Sequence, residues 1–123
     1  MSNFDWFNES LLVEPVSKYV QVQDKNIHYL VWGDENKPGI FFIHGYRAHA
    51  HWWDFVAPAF LDKFCAVAID LSGSGDSDHR ELYSQEIFAD EIKAVCNDMR
   101  WSQADFIAHS MGGSISLNAT SIY

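Results

Sequence analysis

Ala104-Asp105-Phe106-Ile107-Ala108-His109-Ser110-Met111-Gly112-Gly113 is the stretch whose reading decides the fold. Its first five residues form a short, mostly apolar run with the length and composition of a buried β-strand. The run passes directly into small residues, and from Ser114 the pattern turns helical. A strand that turns straight into a helix is the building unit of a parallel sheet covered by helices.

Upstream, Gly39-Ile40-Phe41-Phe42-Ile43 and Phe64-Cys65-Ala66-Val67-Ala68-Ile69 are apolar throughout, as strands buried on both faces must be. Between them, Trp52 to Leu61 is apolar with helix-like spacing, and Pro58 is expected either to start the regular helix or to break it. Tyr83 to Met99 reads as the best helix. Ser84 caps it, Glu86 suits its first turn, and Phe88, Ile92, Val95 and Met99 make one apolar stripe, with a charged, solvated face opposite. Nearer the N-terminus, Tyr19-Val20-Gln21-Val22-Gln23 alternates, Asp24-Lys25-Asn26 supplies turn residues, and Ile27 to Trp32 is again extended, which together specify a β-hairpin. Residues 1–17 are aromatic and acidic without a period and are expected to be an irregular extension. The order is hairpin, strand, helix, strand, helix, strand, helix: an α/β fold with a mainly parallel sheet and flanking helices, in one domain over 1–123.

Composition narrows the partners. Eight Lys and Arg against seventeen Asp and Glu give a formal charge of −9 at pH 7, which repels phosphate backbones and anionic lipid heads. Neither nucleic acid nor a membrane is expected as a partner, no secretory pattern opens the chain, and the expected location is the cytoplasm. Cys65 and Cys96 lack the spacing of a metal site or a disulfide framework and read as small reduced core residues.

The chemistry concentrates at Ser110. An alcohol is a weak nucleophile, so an enzyme that attacks with serine must hold the hydroxyl clear of the sheet, beside a base and beside donors for the developing oxyanion. A sharp strand-to-helix turn does this and needs small residues two before and two after the nucleophile, here Ala108 and Gly112. On these residues Ala108 to Gly113 resembles the nucleophile elbow of the α/β-hydrolase family, with Ala108 where glycine is usual. His44-Gly45-Tyr46 resembles that family's oxyanion-hole turn, followed by the tryptophan-containing His51-Trp52-Trp53. Asp70-Leu71-Ser72-Gly73-Ser74-Gly75-Asp76-Ser77 resembles its Asp-x-x-Gly-x-Gly-x-Ser loop.

The resemblance implies a serine hydrolase acting on a small ester or a related acyl or carbon–carbon substrate. In it Ser110 attacks, and the backbone N–H groups of Tyr46 and Met111 hold the oxyanion. His44 and Gly45 shape the turn, Asp70 and the glycine loop are architectural, and no cofactor is needed. The serine speaks against the dehalogenase and epoxide-hydrolase branches, which use aspartate. His109 reads as an orienting neighbour, since adjacent residues at a tight turn point apart. The family takes its acid and histidine from positions after the nucleophile, whereas all six histidines here precede Ser110. The expected sheet is therefore truncated after the nucleophile strand and the start of its helix. The isolated chain is expected to be inactive, and its last strand to be an exposed edge prone to self-association.

Three other readings stand beside this one. The chain could be a non-catalytic, hydrolase-like or ligand-binding domain that keeps the elbow without the triad. His49, His51 and Asp54 suggest a metal-dependent hydrolase, although no further ligand cluster supports them, and no metal is expected. Gly73-Ser74-Gly75-Asp76-Ser77-Asp78 imitates a dinucleotide fingerprint, but Asp78 stands where the third glycine belongs and acids crowd the phosphate position.

Overall fold

The computed structural model describes residues 12–45 and 47–109. Five strands form one mixed sheet in the order β1-β2-β4-β3-β5, with β1 Val16–Val22, β2 Lys25–Trp32, β3 Gly39–Ile43, β4 Cys65–Ile69 and β5 Ala104–Ala108. The β1–β2 and β2–β4 pairs are antiparallel, and β3 pairs in parallel with β4 and with β5. Four of the five strands thus run the same way, and β2 alone is reversed.

The hairpin turns earlier than its sequence suggests. Val22 pairs with Lys25, which leaves Gln23 and Asp24 as a two-residue turn, both at positive φ (48° and 65°), the geometry that suits the twist of the flanking strands. Asn26, expected in the turn, is in β2 because its backbone is held from outside the hairpin. Its N–H donates to Asp78 Oδ2 at 2.8 Å, and its carbonyl accepts from the Asp78 N–H at 2.9 Å. Val16 and Ser17, within the stretch expected to be irregular, already pair with Val31 and Leu30.

Residue parity sorts the strands into two packed faces. Tyr29, Val31, Phe41, Ile43, Val67 and Ile69 meet the only α-helix of the described residues, α1 Gln85–Asp98, through Ala89, Ile92 and Val95. The alternate residues, Leu30, Trp32, Ile40, Phe42, Ala66 and Ala68, pack under the β3–β4 connection. Every residue of β3 and β4 is buried, as the sequence requires of central strands. The side chain of Ser84 accepts from the Ile87 N–H at 3.1 Å and caps α1 as expected.

The β3–β4 connection is not an α-helix. It forms two 3₁₀ turns, Ala50–Trp53 and Ala57–Phe60, with bonds such as Trp52 N–H to His49 O and Leu61 N–H to Pro58 O. Pro58 has no N–H to give to Asp54, and its ring would clash with that carbonyl, so an α-helix cannot run through it. The apolar residues still do their packing: Phe42 lies 4.9 Å from Trp53 and 5.6 Å from Phe60, centroid to centroid. No helix of the described residues is long and apolar enough to cross a membrane.

Cys65 and Cys96 are free thiols, each pushed up to about 11 by burial. At pH 8 roughly a thousandth of each is thiolate, the reactive form. Ellman's reagent is therefore expected to react slowly with the native protein and to titrate two thiols promptly in denaturant. Prompt reaction of both in native buffer would contradict this packing.

Candidate active site at the carboxyl ends of the parallel strands

Ile43 is in register with Ile69 on one side and with Ala108 on the other, so β3, β4 and β5 finish level. The next residues, His44, Asp70 and His109, emerge together at one end of the sheet. The β3–β4 connection then crosses one face and the β4–β5 connection, which carries α1, crosses the other. A crevice between loops that leave in opposite directions is where open α/β sheets bind ligands. The ladder continues one step further, because the His109 N–H donates to the Ile43 carbonyl at 3.1 Å. The residue before Ser110 is thereby tied to the residue before His44. Ser110, Met111, Gly112 and Tyr46 themselves lie outside the described residues.

His44 is buried, with 1% of its surface exposed. Its Nε2 accepts from the Leu71 N–H at 3.1 Å, so Nδ1 carries the proton and donates to the Gly45 carbonyl at 2.8 Å. That carbonyl also accepts from the Ala48 N–H at 3.2 Å, closing a turn across 45–48 in which Arg47 takes φ 61°. Burial holds the His44 imidazole below its usual 6.5, against the smaller opposing effects of the Gly45 carbonyl and the Asp70 charge. The ring is a neutral clamp between the ends of β3 and β4, shaping the turn and offering no proton for chemistry. Ala108 is half-buried at the end of β5.

Asp70 organises the neighbouring loop. Its Oδ1 accepts from the Ala50 N–H at 2.7 Å, and its Oδ2 accepts from the Asp76 N–H at 3.0 Å and lies 2.7 Å from His28 Nδ1. Gly75, at φ 51°, leaves no room for a side chain, since a Cβ there would meet the Asp70 carboxylate at 2.4 Å. The amides of Gly73, Ser74, Asp76, Ser77 and Asp78 all donate inside the protein, which leaves no cradle of free N–H groups for a dinucleotide's phosphates.

Three residues of this scaffold escaped the sequence reading. Glu91, fully buried on α1, accepts from the Ser72 N–H at 2.7 Å and from Arg80 Nε at 3.0 Å. Arg80 also reaches the Val22 carbonyl at 2.9 Å, joining loop, helix and hairpin. A signal for Glu91 was present, because it stands three residues after Phe88 and four before Val95, inside the apolar stripe. His28 carries no comparable signal in its own strand.

The metal reading finds no support in the geometry. His51 Nδ1 is bonded to Asp54 at 2.8 Å and the His49 ring is 6.2 Å from that of His51, but these three do not converge on a point. Among the described residues, the one set of three whose ligand atoms fall within 4.8 Å of one another is His28, Asp70 and Asp76. There the His28 and Asp70 atoms are already bonded to each other.

A model of the family described as alpha/beta hydrolase fold matches residues 38–123. The chain belongs to the α/β-hydrolase fold family. Epoxide hydrolase 1 of Caenorhabditis elegans is 33% identical over 102 residues, covering 80% of this chain and 25% of that protein. A serine hydrolase-like protein of Mus musculus is 32% identical over 88 residues, 69% of this chain and 28% of its own length. Among solved structures, a 2-hydroxy-6-oxo-6-phenylhexa-2,4-dienoate hydrolase from a Rhodococcus species matches with TM-score 0.79 and 28% identity, over 88% of this chain and 42% of that one. The chain spans about a quarter of the length of the curated relatives it matches. Its relatives include epoxide hydrolases as well as esterase-like members, so likeness fixes the α/β-hydrolase family and not the branch.

Two outcomes follow from this scaffold. Glu91→Ala strands the Arg80 cation, whose side chain is 6% exposed, and is expected to cost about 3–5 kcal/mol in urea unfolding. A loss under 1 kcal/mol would mean the pair is not buried as described. His44 gives a pH signature: in the unfolded chain it takes up a proton below about 6.5, which the folded protein resists. Its contribution to stability is therefore complete above pH 6.5 and declines as pH falls toward the folded value, by at most about 1.4 kcal/mol per pH unit. The acid-side slope should be shallower in His44→Gln, and equal slopes would exclude the clamp.

Proposed function

We propose that this chain carries the nucleophile of a serine hydrolase of the α/β-hydrolase family. Ser110 attacks the carbonyl of an ester or a related acyl or carbon–carbon substrate, and the N–H groups of Tyr46 and Met111 stabilise the oxyanion. The observation that supports this reading most is the hydrogen bond from the His109 N–H to the Ile43 carbonyl, which brings the two motifs together at the carboxyl end of the sheet. A nucleophile on one strand and an oxyanion turn on the next need that adjacency. The serine at position 110 favours acyl chemistry over epoxide opening, in which an aspartate attacks. The acid and the general-base histidine belong to sequence beyond Tyr123 in this reading, and a small molecule is the substrate.

Nitrophenyl ester hydrolysis by the protein extended with its downstream coding sequence tests it. Ser110→Ala should lower kcat by about 10⁶ in the extended protein. The 123-residue chain should not turn over the ester above its own Ser110→Ala variant. Full activity in the extended Ser110→Ala protein would remove Ser110 from the mechanism. The side of β5 that no other described strand pairs with is also where the isolated chain should self-associate. A monodisperse monomer at every accessible concentration would argue against that.

A further inference from the structure

A second serine sits on a hydrogen-bonded relay. Ser17 is exposed on β1, which lies at the opposite side of the described sheet from β5, the strand that precedes Ser110 in sequence. Its Oγ lies 3.0 Å from His28 Nε2, and His28 Nδ1 lies 2.7 Å from Asp70 Oδ2. A carboxylate can only accept, so Nδ1 is the donor there; in the neutral ring Nε2 then offers its lone pair to the Ser17 hydroxyl. A nucleophile within 2.6–3.2 Å of a base that a third group orients is the arrangement that activates a hydroxyl.

The relay is rigid where it must be. His28 and Asp70 are each 1% exposed. The His28 N–H donates to Ser77 Oγ at 2.7 Å, and the His28 carbonyl accepts from the Asp70 N–H at 2.8 Å, so the backbones of base and orienting group are fixed to one another. Ser17 also opens onto a cleft of about 280 Å³ that it lines with Val13, Glu14, Pro15, Leu30, His51 and Asp54, two acids among them, which disfavours an anionic acyl group. That space suits a small, partly apolar acyl group.

We propose that Ser17 is an independent nucleophile, activated through His28 and Asp70, which accepts acyl groups from small activated esters. In the acyl step the Ser17 Oγ–carbonyl carbon bond forms and the ester C–O bond breaks. The Ser17 proton passes to His28 Nε2 and then to the departing alkoxide. Water, deprotonated by the same nitrogen, then attacks the acyl carbon, the Ser17 Oγ–carbon bond breaks, and the proton on Nε2 passes to Ser17 Oγ as the acid is released. The relay supplies a base and its orienter, so the substrate class is esters whose leaving group departs readily.

A fluorescent phosphonofluoridate reports on the first step, because Oγ displaces fluoride and the adduct persists. The protein is used as the Ser110→Ala variant, which separates this site from the one proposed above. Peptide mapping should place the adduct on Ser17, and Ser17→Ala, an exposed change, should abolish it. Labelling of Ser17 should be about 100-fold faster in the folded protein than in urea, the lower end of what a positioned base contributes. It should fall similarly in His28→Gln wherever that variant folds. Equal rates with and without urea, or label spread over other surface residues with Ser17 unmarked, would overturn the proposal.

Discussion

The carboxylate of Asp70 is an anion almost without solvent contact, and three other parts of the chain are arranged around it. Burying a charge costs several kcal/mol unless donors replace the water it loses. Here the donors come from the Ala50 amide in the β3–β4 connection, the Asp76 amide in the glycine loop and His28 in the hairpin, while Asp70 itself ends β4. Each donor is useful only if its segment is in place. The 3₁₀ turn must start at Ala50, the loop must close tightly enough to need Gly75, and the hairpin must present His28 on the correct face. One desolvated charge thus couples the β3–β4 connection, the glycine loop and the hairpin through polar contacts as well as through the core.

Around that anion a second set of polar clamps settles the end of the sheet where β3, β4 and β5 finish level. His44 holds the turn after β3 to Leu71 after β4, and Glu91 holds Ser72 and Arg80. The His44 and Glu91 side chains are buried and bonded within the scaffold, so they fix backbone positions. The level ends of β3, β4 and β5 are in this way fixed by residues on β2 and α1 and by those that follow β3 and β4. An active site built on rigid strands and backed by buried hydrogen bonds keeps its donors aligned without reorganising during reaction.

Which of these features the sequence discloses follows from the range of the physics behind them. β3 and β4 are legible because burial on both faces demands unbroken apolar runs, β5 because its run is short and mostly apolar although the strand is only partly buried, and α1 because its stripe and its Ser84 cap are local. The hairpin turn is misplaced by its own composition, since Asn26 has turn chemistry but is held in β2 by Asp78, fifty-two residues away. Trp52 to Leu61 has helical spacing, yet Pro58 leaves it as two 3₁₀ turns that bury the same faces. His28, Arg80 and the full role of Asp70 depend on partners that become neighbours only on folding, and spacing along the chain cannot reveal them. The motif residues His44, Gly45 and Ala108 are named by resemblance; in the structure Ala108 ends β5 in register with Ile43, the residue before His44.

The distinction between fold and chemistry is sharpest at position 110. Relatives that open epoxides and relatives that resemble serine hydrolases share this sheet, so neither the strand order nor the clamps discriminate between them. A carboxylate nucleophile arrives already charged and needs no base to begin its attack. A hydroxyl needs one, and needs donors for the oxyanion it creates. The same elbow therefore places different demands on its surroundings according to one side chain. With serine there, a histidine base aimed at position 110 becomes indispensable to the first step, and His44 cannot serve, since both of its ring nitrogens are already bonded within the scaffold.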